Sequence, residues 1–137
     1  MRSRSLTGFW IGVYSYPNNV QEAVYFNAYI EDDAGLLSGD ICENVTYGFE
    51  RETPLFSALN GSVNNSHVHF EKIYEPGHVD FTKVSYSGHL IEDSNEIEGS
   101  WVLTGPNGWS GKFMMVRKSG TKESLAVGRA EHKLLKA

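Results

Sequence analysis

Gly8-Phe9-Trp10-Ile11-Gly12-Val13-Tyr14-Ser15-Tyr16, closed by Pro17-Asn18-Asn19, is the stretch whose reading decides the fold. Its inward and outward candidates alternate with a period of two, the spacing of a β-strand rather than of a helix. Gly8 and Trp10 therefore share a face, and the same spacing returns near the other end of the chain at Gly99-Ser100-Trp101. In both places the glycine is expected to leave room for a large ring, with Trp10 and Trp101 turned inward.

Outward from that stretch, alternation and turn residues divide the chain into eight strands, at about 8–16, 23–31, 36–43, 55–63, 67–74, 81–91, 96–103 and 109–118. The breaks carry turn chemistry: Asp32-Asp33-Ala34-Gly35, Asn64-Asn65, Glu75-Pro76-Gly77-His78, Glu92-Asp93-Ser94-Asn95 and Thr104-Gly105-Pro106-Asn107-Gly108, with 44–54 the least regular stretch. Short strands on short turns favour up-and-down antiparallel order, and closing eight of them removes the exposed edges of a flat sheet. The expected fold is all-β, an eight-stranded antiparallel up-and-down barrel over 1–118, with no helix before Ser119. In the tail, 119–137, Leu125, Val127, Leu134 and Leu135 lie among charged residues without a strand pattern, which leaves a short helix, an oligomer arm and disorder all open.

The 137 residues fit one domain, and 40% hydrophobic, 21% charged and 14 glycines describe a globular chain with many tight turns. A net charge of −5, with no basic stripe interleaved with aromatics, argues against a nucleic-acid binder. No apolar run reaches the length of a membrane span, and Met1-Arg2-Ser3-Arg4-Ser5 leads into no signal-peptide core, so the cytoplasm is the expected address. Cys42 is the single cysteine, which rules out an intrachain disulfide.

Parity propagated from the tryptophans assigns the lumen. It places Trp10, Gly12, Tyr14 and Tyr16 inside on the first strand, Val68, Phe70, Lys72 and Tyr74 on the fifth, and Val84, Tyr86, Gly88 and Leu90 on the sixth. Ile97, Gly99, Trp101 and Leu103 follow on the seventh, and Gly111, Phe113, Met115 and Arg117 on the eighth. Two cations thus face an aromatic interior, where an ionised group is costly unless paired. Arg117 is expected to lie over the indole of Trp10 and seal one end by stacking. Lys72 is expected to pair with Asp40 or Glu43, or to meet an anionic ligand. Tyr14, Tyr16, Lys72, Tyr74, Tyr86 and Trp101 form the candidate ligand-binding lining.

The outward face offers a second constellation. Pairing Tyr74 with Thr82 sets Phe70 against Tyr86, His69 against Ser87 and His67 against His89. His67, His69 and His89 could share a metal, but exposed imidazoles on a polar wall are the simpler expectation. No Gly-x-Ser-x-Gly elbow, His-Glu-x-x-His helix or phosphate-binding glycine loop is present, so no catalytic residue is assigned.

Gly8-Phe9-Trp10 on the first strand and Arg117 on the last resemble the end closure of lipocalins. Leu6-Thr7-Gly8-Phe9-Trp10 and Ser100-Trp101-Val102-Leu103 resemble two strands of avidin-type chains. The chain is therefore similar to the calycin-type barrels, including small bacterial lipocalin-like domains of undetermined function. The resemblance implies a barrel that binds a small molecule, without fixing which one. Biotin is disfavoured because Phe70 stands where such chains carry a tryptophan. Haem is disfavoured because His132, in the tail, is no counterpart of the axial histidine in nitrobindin-type barrels. No cofactor is expected.

Three functions follow, in order of preference. The first is a non-enzymatic barrel binding a small aromatic or weakly anionic molecule. The second is an interaction or oligomerisation module, a homo-oligomer included, with a filled lumen and an outward apolar band of Phe9, Ile11, Met114 and Val116. The third is a small isomerase or cyclase using Asp40 or Glu43 as a base.

Overall fold

The computed structural model describes residues 5–19, 22–45, 53–74, 83–91, 93–103 and 108–118. Eight strands follow one another: β1 Gly8–Ser15, β2 Val24–Asp33, β3 Leu36–Val45, β4 Thr53–Asn64, β5 His67–Tyr74, β6 Lys83–Ile91, β7 Glu96–Leu103 and β8 Ser110–Lys118. Each pairs antiparallel with its neighbour in sequence, and β8 returns to β1 through pairs such as Trp10 with Arg117, which closes the barrel. The expected fold class holds. A single 3-10 turn at Pro17–Asn19 interrupts the strand series, with Asn18 in the left-handed region.

The inner faces carry the core expected from parity. Trp10, Tyr14, Val68, Phe70, Tyr74, Val84, Tyr86, Ile97, Trp101, Phe113 and Met115 are buried, joined by Phe26, Ala28 and Ile30 on β2, Leu37 and Ile41 on β3, and Leu55, Leu59 and Val63 on β4. Phe70 stacks on Tyr86 at 4.8 Å and 7°, and Phe113 meets Tyr86 edge-on at 4.9 Å, filling the middle of the lumen. Leu90 pairs with Ile97, Gly88 with Gly99 and Tyr86 with Trp101.

Two turns fall one or two residues from where the sequence sets them. The β2–β3 turn is confined to Ala34 and Gly35, at φ 52° and 96°, so β2 runs on to Asp33. Two successive left-handed residues match the twist of the flanking strands, which permits so short a hairpin. The β4–β5 turn sits at Asn65-Ser66 rather than Asn64-Asn65, with Asn65 at φ 58°.

The room left by the motif glycines is used differently from the expectation. A side chain at Gly8 would press on the Arg117 guanidinium, 3.2 Å away, and one at Gly99 would collide with the Ser87 carbonyl of β6. The glycine that accommodates a tryptophan is Gly111, where a Cβ would stand 2.6 Å from Trp101 Nε1. That bare backbone lets the Trp101 indole donate to the Ser15 carbonyl at 3.0 Å, tying β7 to β1 across β8. The expected turn residues 75–78 and 104–107, the pairing of Tyr74 with Thr82, the irregular residues 46–52 and the tail 119–137 lie outside the described residues.

Candidate functional site

The two ends of the barrel are built differently, and the difference locates the site. At the end that carries the tight turns Ala34-Gly35 and Asn65-Ser66, the Ser5–Thr7 segment crosses the opening and Leu6 is fully buried. Asp32 holds this plug by accepting from the Leu6 backbone N–H at 2.9 Å, while its own N–H donates to Thr7 Oγ1 at 2.9 Å. Trp10 lies beneath, its Nε1 donating to the Leu6 carbonyl at 3.0 Å. Arg117 lies over the indole at 4.7 Å from the ring centroid. Its guanidinium donates to the carbonyls of Thr7, Ser5 and Ser94 at 3.0, 2.8 and 2.9 Å and, through Nε, to Asn95 Oδ1 at 3.2 Å. The expected contact between Trp10 and Arg117 is present, and five donors in a planar fork explain why arginine suits the position. Leu6 was not singled out in the sequence; its signal is one apolar side chain in a polar leader, two residues ahead of the strand.

At the opposite end, where β1, β3, β5 and β7 finish, the lumen turns polar. Glu43 and Lys72 are each 1% exposed, and Lys72 Nζ lies 2.8 Å from Glu43 Oε2. Tyr14 donates its hydroxyl to Glu43 Oε1 at 2.6 Å, and the Tyr74 hydroxyl lies 3.0 Å from Oε1 and 3.2 Å from Oε2. The ammonium also faces the rings of Tyr14, Tyr74 and Tyr86, at 4.5, 4.7 and 5.3 Å from their centroids. Lys72 thus meets a carboxylate inside the barrel, as expected, and the carboxylate is Glu43. Asp40 is the correction: its parity is opposite to that of Ile41 and Glu43, which places it half-exposed on the outer face, between Tyr29 and Ala58.

Titration follows from the burial. Desolvation pulls the Lys72 ammonium down, but the Glu43 carboxylate outweighs it and holds the pKa well above its ordinary value. Burial first, then the negative charge of Glu43, raises Tyr14 far beyond the ordinary phenol range. Burial likewise raises Tyr74 and Tyr86 against the opposing charge of Lys72, and raises half-buried Tyr16 against a hydrogen bond with Tyr14. These phenols stay protonated, and those of Tyr14 and Tyr74 donate to Glu43. Three donors, Tyr14, Lys72 and Tyr74, converge on the two oxygens of Glu43, so the arrangement fixes a negative charge in place inside the barrel.

Above the cluster the rim is aromatic. Tyr16 meets Trp101 edge-on at 5.3 Å, Trp109 at 6.0 Å and Tyr14 at 5.9 Å, and Trp101 meets Tyr14 at 5.8 Å. The structure therefore brings all six candidate lining residues, Tyr14, Tyr16, Lys72, Tyr74, Tyr86 and Trp101, to one end of the barrel. Tyr16 and Trp101 also border an open groove of about 610 Å³ whose remaining walls include Ser85, Ser87 and Ser100 on the outer faces of β6 and β7. Sequence reasoning passed over Ser57, which shares the inner face of β4 with Leu55 and Leu59. Its Oγ is the one buried side-chain polar atom without a hydrogen-bond partner among the described residues.

On the outer wall His67 pairs with His89, their rings 5.4 Å apart and edge-to-face, and Ser87 Oγ lies 3.3 Å from His67 Nε2. His69 is exposed opposite Ser87. Among the described residues no group of three or more His, Cys, Asp or Glu side chains is arranged to hold a metal ion.

Fold and site together define a closed eight-stranded antiparallel β-barrel with one sealed end and one polar, tyrosine-lined end. Comparison with protein-family models, with curated proteins and with solved structures finds no match to this chain.

Proposed function

We propose that the protein is a non-enzymatic binding barrel of lipocalin-like, calycin type, which takes a small aromatic or weakly anionic molecule at its tyrosine-lined end. The observation that carries this reading is the convergence of Tyr14, Lys72 and Tyr74 on Glu43 beneath the aromatic rim of Tyr16 and Trp101. A barrel that only had to fold gains nothing from two buried charges, because well-packed apolar residues of the same volume are as stabilising or more so. Clustered polar groups in a mostly apolar concavity are what orientation of a small ligand requires. A cytoplasmic protein that needs no cofactor and engages neither membrane nor nucleic acid belongs to the same proposal.

Native mass spectrometry of freshly purified protein tests it. The expected spectrum contains the chain with a small molecule attached, released on denaturation and absent from the Glu43→Leu/Lys72→Met double variant. Finding only the unliganded mass in protein never dialysed or denatured counts against the reading.

The second reading, an interaction or homo-oligomerisation module, draws on the outer wall of β8, β1 and β2. Met114 and Val116 are exposed there beside half-buried Phe9 and Ile11, with Tyr25 70% exposed two strands away. A concentration-dependent mass in sedimentation analysis, abolished by Met114→Glu, is its expected signature.

A further inference from the structure

Resting on the second reading above, we propose that the apolar outer wall is covered by a second copy of this chain. The two copies pack face to face about a two-fold axis that crosses the strands at the level of Asn27, Ile11 and Val116. β1 sets this wall apart. Its outward residues Phe9, Ile11 and Val13 are as apolar as its inward Trp10 and Tyr14, and a strand apolar on both faces is the pattern of one covered on both. Met114 and Val116 on β8 and Tyr25 on β2 extend the patch and are exposed. Outward positions on β5 to β7, such as His69, Glu71, Ser87 and Glu98, instead carry the polar residues of a wall that faces water.

The register lays the wall out in rows. Tyr25, Val13 and Met114 form one, Asn27, Ile11 and Val116 the next, and Tyr29, Phe9 and Lys118 the third. Their order selects the arrangement. With the axis along β1, Asn27 would lie under Val116 of the other copy, a carboxamide covered and left unpaired. With the axis across the strands, Asn27 faces Asn27, and two carboxamides can donate to and accept from each other. Ile11 and Val116 then meet their own counterparts, Phe9 meets Val13, and Tyr29 meets Tyr25. Lys118 falls on the row of Met114, whose neighbour on β7 is Glu98. A groove of about 560 Å³ lies open there, with Val13, Glu98, Lys112 and Met114 in its walls. It takes the lysine stem of the other copy against Val13 and Met114, and the ammonium against Glu98. Among the described residues neither Glu98 nor Lys118 forms a salt bridge within its own chain, and Lys112 is turned to Ser100 Oγ at 3.4 Å. The two-fold axis makes each of these contacts twice.

Sedimentation and cross-linking of the full chain test the arrangement. Wild type is expected to sediment as a dimer, and Met114→Glu as a monomer. Val116→Cys on a Cys42→Ser background is expected to give a covalent dimer with a short bismaleimide, while Ser87→Cys on the same background, on the polar wall, gives none. Lys118→Glu and Glu98→Lys are each expected to weaken the dimer about tenfold or more. Mixing those two variant chains is expected to restore it, because every facing pair is then again opposite in charge. A dimer that Met114→Glu dissolves, but in which Val116→Cys does not cross-link or the mixed chains stay weak, overturns the arrangement and leaves the second reading standing. A wild-type chain that is monomeric at every concentration overturns both. Should Val116→Cys not fold, the charge pair decides the matter alone.

Discussion

Lys72 of β5 reaches across the inner face of β4 to meet Glu43 of β3, Nζ to Oε2 at 2.8 Å, joining strands that are not neighbours in the sheet. Both groups are buried, so each is tolerated because the other is there. Lys72→Met leaves a buried carboxylate with only tyrosine hydroxyls for company and is expected to cost about 3–5 kcal/mol of stability. Glu43→Leu/Lys72→Met removes both charges and is expected to recover most of that loss. Urea unfolding of the single and double variants checks the pattern, and two additive losses would show that the pair is not coupled.

At the sealed end, Arg117→Ala removes a cation–π contact and four hydrogen bonds from a half-buried guanidinium, for an expected loss of about 2–4 kcal/mol. Arg117→Lys is expected to restore only a small part, because an ammonium cannot reach the Ser5, Thr7 and Ser94 carbonyls and Asn95 together. Leu6→Ala opens a cavity above Trp10 and is expected to cost about 2–5 kcal/mol. Thermal and urea unfolding measure all three, and a neutral Leu6→Ala would mean that the plug is not part of the folded core.

Gly111→Ala puts a methyl group 2.6 Å from Trp101 Nε1 and against the Ser15 carbonyl. The indole must leave its 3.0 Å hydrogen bond, with an expected loss of about 1–3 kcal/mol and a changed near-ultraviolet tryptophan signal. An unchanged spectrum would contradict the assigned role of Gly111.

Alkaline pH acts on the polar cluster as a unit. Tyr14, Tyr74 and Tyr86 have folded pKa values above the ordinary 10.0, and Lys72 one above the ordinary 10.5. Below about pH 10 both the folded and the unfolded chain hold these protons, and the contribution to stability is fully present. Above it the unfolded chain releases protons that the folded chain keeps, so stability falls as pH rises. The phenolate absorbance of these tyrosines is therefore expected to appear together with unfolding rather than before it. Their ionisation in a still-folded protein would show that the cluster is open to hydroxide.

Much of this was legible because a strand has a period of two. Once Trp10 and Trp101 were set inward, parity carried Lys72, Tyr74, Tyr86 and Arg117 to the lumen, and the turn at 92–95 fixed the register of Leu90 with Ile97. Period two also separates Asp40 from Glu43, but only when strand 36–43 has an anchor of its own, and no tryptophan lies there; Leu37 and Ile41 on the inner face supply it. Ser57 was illegible for a different reason. A serine among Leu55, Leu59 and Val63 reads as a small packing residue until the partners of its hydroxyl are known. The plug by Leu6 depends on Asp32, 26 residues away, and on Arg117 reaching back to Ser5 and Thr7, contacts that no local pattern announces.

The central claim, that the tyrosine-lined end of the lumen receives a ligand, is tested most directly by a crystal of the protein soaked with benzamide. One ring is expected inside the barrel mouth, against Tyr16 and Trp101 and above the Glu43 cluster. Density for the ring only on the outer wall, in the serine-lined groove or over Met114 and Val116, with the Glu43 cluster unchanged and the mouth filled by its own side chains, would contradict it.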